Sequence, residues 1–439
     1  MSLDGPLRYK LGTPAGQAGQ VSAGTGGLRV NWPLLLFVGG IVAGLFQLWH
    51  PVGYGLGPGH EMVQIAHSLV AGRGFSDPFS SMPTGPTANQ PPLYPLFLAL
   101  VMKLFGTPKL IVFVLVVLVI VPVNALVAAL MPRVSTELFG ARSPGIFAGI
   151  FSILSARVIP EWDADCTQLG LIALTLTTAL LLRRNVRPDY SGAIAGTMVG
   201  ILCLMNPMSL AISAPCAGFC LAVGKIPMRG CIRFFASLTL AAALVMLPWL
   251  ARNYSIWGHA IIRTTLGSAL YISNNDCAEP SLAIELHSGC HDSTHPNMSV
   301  PEARLLAALG EPGYDHRRTA DAMSWIRSHP SRFAWLTRNR FIQFWLSYPI
   351  PPAYSCYAIW IITVLSIPGL IWMVLRRERA TFLLISVFAL YPPIYYIIIS
   401  DERYRVPILW LSCLAAGYFV SSLIQVWSKH RSRRFAASC

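Results

Sequence analysis

"PPLYPLFLALVMKLFG", Pro91 to Gly106, decides how the chain is threaded. It is apolar enough to pass for a membrane span, yet shorter than the roughly 20 residues a helix needs to cross hydrocarbon. Counting it as a span inverts the sidedness of everything that follows it. Ten other apolar runs surround it, at about 32–50, 109–131, 144–160, 167–182, 191–207, 209–224, 234–250, 355–375, 380–399 and 406–427. The pair at 191–224 depends on a break at "MNPMS" (Met205 to Ser209), where proline opposes helix continuation.

Of the 439 residues, 54% are hydrophobic and 12% charged, against about 25% charged in a soluble domain. So few charges cannot cover a surface for water, and the solvent implied is lipid. Spanning strands would alternate in segments of about ten residues, a pattern missing here. The fold class expected is an all-α polytopic membrane protein.

Charge settles the threading. With Pro91–Gly106 left out of the spans and the N-terminus in the cytoplasm, eighteen of the 33 Lys and Arg fall in cytoplasmic segments with four of the 19 acids. That imbalance equals the whole net charge of +14 and leaves the other side neutral. Lys/Arg bias toward the cytoplasm is what sets orientation. Pro91–Gly106 is then a short helix at the outer surface. The basic balance follows from topology, and no soluble basic stripe with interleaved aromatics points to nucleic acid. Residues 1–30, rich in Gly, Ser and Ala, read as a disordered cytoplasmic tail. Residues 31–427 read as the transmembrane domain and 428–439 as a basic cytoplasmic tail.

Three outer segments result, at 51–108, 160–168 and 251–354. A protein that keeps its elaborate, acid-bearing loops on one face does its chemistry there. In the first, "GPGHEMVQIAHSLVAGRGF" (Gly57 to Phe75) spaces Met62, Ile65, Ala66 and Leu69 as one apolar helical stripe, with Glu61, Gln64 and Ser68 opposite. Glu61 opens this helix, where a carboxylate suits the dipole, so a capping role and a site role both fit. The second, "PEWDADCTQ" (Pro160 to Gln168), crowds Glu161, Asp163 and Asp165 at a span end. Carboxylates at a membrane are costly and usually face a wet cavity or a partner. At the start of the last run, "SDERYRVP" (Ser400 to Pro407) carries Arg403, Tyr404 and Arg405, and Arg252 in "LPWLARNYSIWG" sits at a similar depth. Guanidinium forks suit phosphate oxygens; interfacial snorkelling is the plainer alternative. "HSGCHDSTHP" spaces His287, His291 and His295 four apart, but its Gly, Ser, Thr and Pro argue for a loop over a metal-binding helix. Of ten cysteines, Cys277 and Cys290 lie together outside and could pair in an oxidising compartment.

Taken in order, these stretches resemble the multi-spanning GT-C glycosyltransferases, in particular the bacterial branch related to family 39 protein mannosyltransferases and lipid A aminoarabinose transferases. "GHEMVQIAHSLVAGRGFSDPF" is similar to the family's first outer loop, and "PTGPTANQPPLYPLFLALVMKLFG" to its juxtamembrane helix. "LPWLARNYSIWG", "NNDCA" with "AMSWIRSHPSRFAWLTRNRFIQFW", and "ERYRVPI" resemble three later motifs. The resemblance implies a GT-C-like bundle of about ten transmembrane helices with juxtamembrane helices on the outer face. It implies a sugar on a polyprenyl phosphate as donor, an acceptor hydroxyl or amine on a lipid, glycan or protein, and inversion at the anomeric carbon. It implies a bacterial cytoplasmic membrane, both termini inside and the active site outside. The family's first-loop acid falls on Glu61, although His60 stands where many relatives carry a second acid. Its second-loop acid falls on Glu161, or else Asp163. Donor phosphate falls to Arg403 and Arg405, with Arg252 behind them; Gln64 and Tyr404 are expected to touch substrate. Some members use a divalent metal and others do not; the sequence requires no cofactor and assigns no metal ligand. A transporter or flippase of a lipid-linked or anionic substrate is the competing class. It should carry ionisable groups at mid-bilayer, whereas nearly all acids here lie outside the spans. A glycan polymerase or ligase remains the third reading.

Overall fold

A backbone in hydrocarbon must satisfy its own hydrogen bonds, and the apolar runs do so as helices. The computed structural model describes residues 30–48, 60–157, 163–347 and 354–437. Seven helices are long and apolar enough to cross a membrane: Pro108–Phe139, Asp163–Arg183, Pro188–Met205, Met228–Trp257, Ser355–Leu375, Ala380–Ile397 and Glu402–Ser432. Shorter apolar helices, Trp32–Gln47, Ser143–Ser155 and Pro207–Val223, fill the other three expected positions. The chain is a multi-pass membrane protein. The break expected at "MNPMS" is present: Asn206 is extended and its side chain accepts from the Met208 amide.

Leu93–Phe105 is a 13-residue helix, about 20 Å long at 1.5 Å per residue, well short of a bilayer core. Tyr94, Leu98, Val101 and Met102 bury one side of it, while Leu96, Leu100 and Leu104 form an exposed stripe along the other. Such a two-faced apolar helix fits between protein and lipid. It packs beside Glu61–Val70, whose Val63 and Ala66 join the same apolar cluster. The buried face of Glu61–Val70 differs from the stripe expected: Val63 and Ser68 are inside, and Met62 and Leu69 only half-buried. Ser68 can be buried because its hydroxyl accepts from Arg73 at 3.1 Å.

Small residues let the spans approach. A Cβ added at Gly192 or Gly196 would lie 2.2 Å from the carbonyl oxygen of Phe234 or Leu238, and one at Gly200 would lie 2.8 Å from Val245. This four-residue rhythm of glycine brings Pro188–Met205 against Met228–Trp257 backbone to backbone. Met228–Trp257 turns its other face outward, with Leu240, Leu244 and Leu247 exposed. The last span is the opposite case: 78% of its most apolar stretch is buried, and Trp410, Leu411, Cys413 and Leu414 sit in the main core. Ser143–Ser155, Ser355–Leu375 and Asp163–Arg183 pack against it. From Trp32 onward the chain forms one compact unit.

Two expectations shift at the end of the bundle that carries the polar segments. Asp163 and Asp165 lie in the first turn of Asp163–Arg183 and not in a loop. The His-rich stretch, expected as a loop, forms two short helices, Leu282–Ser288 and Cys290–Thr294, hinged at Gly289 with φ 76°. Cys277 and Cys290 are joined as a disulfide. The 1–30 tail up to residue 29 lies outside the described residues, and the final helix, Val406–Ala437, continues through most of the segment expected as a tail.

Candidate functional site

The first and third outer segments meet at the loop-bearing end, each pinned by buried polar contacts. The first is held by Glu311 and Arg252. Glu311 is buried and accepts from the Ala88 amide at 2.7 Å, the Thr264 hydroxyl at 2.5 Å and the Thr87 hydroxyl. Its carboxyl lies above the ordinary range, because burial outweighs these bonds. Arg252 donates to the carbonyls of Thr87 at 2.6 Å and Phe75 at 2.8 Å, and its guanidinium lies over Phe75, Trp249 and Trp257. Asp77, in the left-handed region at φ 53°, accepts from the amides of Thr84 and Gly85 and closes the turn between them.

The third segment is fastened to the first and to the last span. Ser80 donates to Asn297 Oδ1 through its amide at 2.8 Å and its hydroxyl at 2.9 Å, and the Ser81 hydroxyl donates to the Pro296 carbonyl at 2.6 Å. Ser281 and Ser400 form a parallel bridge, with the Leu282 amide donating to the Ser400 carbonyl at 3.0 Å. Buried Arg340 donates to the carbonyls of Ser273 and Ile397.

Within this frame Glu61 meets His295, Nε2 to Oε1 at 3.2 Å, and its side chain keeps 22% of its surface open. The glutamate therefore sits at a wet opening and not against a sealed apolar wall. Burial pushes its carboxyl up, but the hydrogen bond from His295, the Glu61 backbone amide and the Arg403 guanidinium outweigh that and hold it below the ordinary carboxylate range. Arg403 is about a third exposed and 3.7 Å from Asp401, whose side chain caps the turn by accepting from the Arg403 amide at 3.0 Å. Neighbouring Glu402 is paired with Arg157.

Arg263, which sequence reading missed, stands among these groups. It donates from Nε to the Asn89 carbonyl at 2.9 Å. Its charge is within reach of Glu61, Asp163, Tyr395 and Tyr404. Its side chain is exposed to solvent. Tyr404 stacks on Tyr395 with centroids 4.5 Å apart, and Tyr391 donates to the Tyr404 carbonyl at 2.8 Å. Asp165 is buried behind Asp163. No short motif signals Arg263; the only clue is a cation inside the apolar "AIIRTT" just after a span.

Of the residues expected in a site, Glu61, Asp163, Arg403 and Tyr404 are drawn together, with Gln64 half-buried one helical turn from Glu61. Glu161 lies outside the described residues. Two arginines need correction. Arg405 is buried and donates to the Trp345 carbonyl at 2.5 Å with its guanidinium over the Trp345 ring. Arg252 is occupied by the two carbonyls it clamps. Both are committed to the fold. Among the described residues no group of three or more His, Cys, Asp or Glu side chains could hold a metal ion.

No family model and no curated protein sequence matches the chain. Solved structures do. Crystal structures of the Archaeoglobus fulgidus oligosaccharyltransferase, one in the apo form and one tethered by a disulfide to an acceptor peptide containing the NVT sequon, align over 93% and 92% of this chain. Both give a TM-score of 0.54, at 13% and 12% identity. This is a GT-C fold. The chain spans about half the length of those structures, 52% and 51%. At such identity it is the fold that is shared. In this GT-C bundle the recess of Glu61, Asp163, Arg263 and Arg403 lies where the polar segments cover the helix ends.

Proposed function

We propose that the chain is a glycosyltransferase that moves a sugar from a polyprenyl-phosphate donor to an acceptor hydroxyl or amine, with inversion, at the outer face of a bacterial cytoplasmic membrane. The observation that carries the proposal is that the Glu61 carboxylate, partly open and held by His295, lies within the charge influence of Arg403 and Arg263, the latter also near Asp163. The acceptor oxygen bonds to the anomeric carbon as its proton passes to the Glu61 carboxylate. The bond from that carbon to the phosphate oxygen breaks, and its electron pair stays on the phosphate. Positioned base help of this kind contributes about 10²–10⁴-fold. The leaving phosphate needs its charge met more than it needs a proton, and Arg403 and Arg263 supply that. Docking a phosphate on them would also offset the cationic field that holds Glu61 down, making it a better base once the donor is bound. Tyr404 and Gln64 border the sugar. The exposed Leu96, Leu100 and Leu104 stripe offers the prenyl chain an apolar wall. Both chain ends then face the cytoplasm. The acceptor is a lipid, a glycan or a protein.

The test is to give purified protein a panel of prenyl-phosphate sugars with hydroxyl and amine acceptors and to follow prenyl phosphate released. Release by the wild type that vanishes in Glu61→Gln is expected. No release with any donor, or equal release by the variant, would end the proposal.

A further inference from the structure

His295 comes from the third polar segment, 234 positions from the glutamate it touches. Its other ring nitrogen, Nδ1, accepts the Asn297 amide hydrogen at 3.1 Å. An amide N–H can only donate, so the Nδ1 lone pair is in use and the proton of the neutral ring must sit on Nε2. A doubly protonated ring would set two N–H groups against each other across that contact. Nε2–H is the atom that lies 3.2 Å from Glu61 Oε1.

The ring is held on every side. His291 stacks on it, centroids 4.6 Å apart and planes 24° from parallel, and Phe79 meets it edge-on at 6.0 Å. Ser80 and Ser81 grip Asn297 and Pro296 just beyond it. Cys290, which begins the short helix bearing His291, is tied to Cys277. So much support for one imidazole is more than packing requires.

We propose that His295 is a positioning residue for Glu61: locked as the Nε2–H tautomer by the Asn297 amide, it holds one carboxylate oxygen and leaves the other to take the acceptor's proton. The proposal rests on Glu61 being the base of the transfer reaction. His295 gives a hydrogen bond and takes no proton, so the proton received by Glu61 leaves to water through the open side of the recess. Among the described residues, the other charged or titratable groups facing Glu61 are Arg403, Arg263 and His291.

The test reads the Glu61 carboxyl without turnover. A hydrophobic carbodiimide modifies protonated carboxyls, and mass spectrometry of the full-length protein in detergent locates the product as pH is varied. In the wild type, the labelling midpoint at Glu61 should be strongly acid. In His295→Ala it should move up by a pH unit or more, which multiplies labelling about tenfold per unit at a fixed pH above both midpoints. His295→Gln, whose amide N–H reaches the place of Nε2, should restore the low midpoint; His295→Asn, too short to reach, should behave like alanine. A wild-type midpoint in His295→Ala overturns the proposal, and so does a glutamine variant no better than asparagine. If alanine does not fold, the glutamine and asparagine pair decides alone. In the transfer assay His295→Ala should lower kcat more than it raises KM. A correct labelling series in a protein that transfers no sugar would remove the glycosyltransferase reading and leave the contact standing. Transfer with an unmoved midpoint would do the reverse.

Discussion

Arg403 and Arg405 lie two residues apart and serve different parts of the molecule. Arg403 is partly exposed and lends its charge to Glu61. Arg405 is buried and donates to the Trp345 carbonyl. In the 3₁₀ turn Glu402–Arg405, at about 120° per residue, positions i and i+2 point to different sides of the turn. One of the pair can reach the recess only if the other enters the core. Arg403→Ala should therefore raise the KM for donor, by about tenfold or more for a lost charge-assisted bond of about 1.5–3 kcal/mol, and leave thermal stability nearly unchanged. Arg405→Ala should do the opposite, lowering the midpoint of unfolding. Donor titration and a melting curve on both variants check this.

Arg263→Ala should weaken donor binding as Arg403→Ala does, because it bridges the charges of Glu61 and Asp163. Arg263→Lys keeps the charge but loses the fork, and should fall between alanine and wild type. Identical KM for all three proteins would remove Arg263 from the phosphate site.

Glu61→Gln should cut kcat by about 10²–10⁴-fold while donor binding changes little. With its carboxyl held below the ordinary carboxylate range, Glu61 in the free protein stays ionised throughout the mildly acid range. Any acid limb of kcat/KM near pH 5 to 6 should then belong to another group, and should persist in Arg403→Ala.

Glu285 should govern how stability varies with pH. It is fully buried, neither carboxylate oxygen has a hydrogen-bond partner, and His291 Nδ1 stands 4.0 Å away. Burial pushes its pKa up to about 8, Glu279 adds to this and Arg340 opposes it. The folded value lies above the unfolded one, so its contribution is full below about pH 4.5 and is lost as pH rises through about 8. Glu285→Gln should flatten that decline, which for one group can reach about 1.4 kcal/mol per pH unit. Melting curves between pH 5 and 9 that run parallel for variant and wild type would contradict it.

Opening the Cys277–Cys290 bridge with Cys277→Ser should cost about 3 kcal/mol, as expected for a loop of this size. Reductant should lower the melting temperature of the wild type and leave the variant unmoved. Transfer should fall further than the melt alone explains, because Cys290 carries the helix of His291.

The helices were readable because hydrocarbon forces a long apolar run into one shape. The shortness of Pro91–Gly106 was also readable: it forms a helix of 13 residues, Leu93–Phe105. Side-chain direction was not. Arg252, Arg403 and Arg405 sit at similar depth in sequence, and only packing reveals that two of them are tied to backbone carbonyls. Partners distant in sequence were equally hidden. Nothing local in "HSGCHDSTHP" points to Glu61, and nothing in "AIIRTT" points to Asp163. The stripe on Glu61–Val70 was misread because Ser68, polar by type, finds a partner inside.

Among the described spans, the one with the largest buried share comes after all the others in the sequence, and so leaves the ribosome after them. Ser143–Ser155 and Ser355–Leu375 must wait in the bilayer for that helix, while other spans hold to one another, as in the glycine contacts of Pro188–Met205 with Met228–Trp257. A nascent protein stalled at Val406 would already carry Glu61, Asp163, Arg263 and Arg403, yet would lack the buried helix against which Ser143–Ser155 and Ser355–Leu375 pack. Quality control that reads unfinished membrane bundles should degrade chains truncated there far faster than chains lacking the peripheral helix Trp32–Gln47.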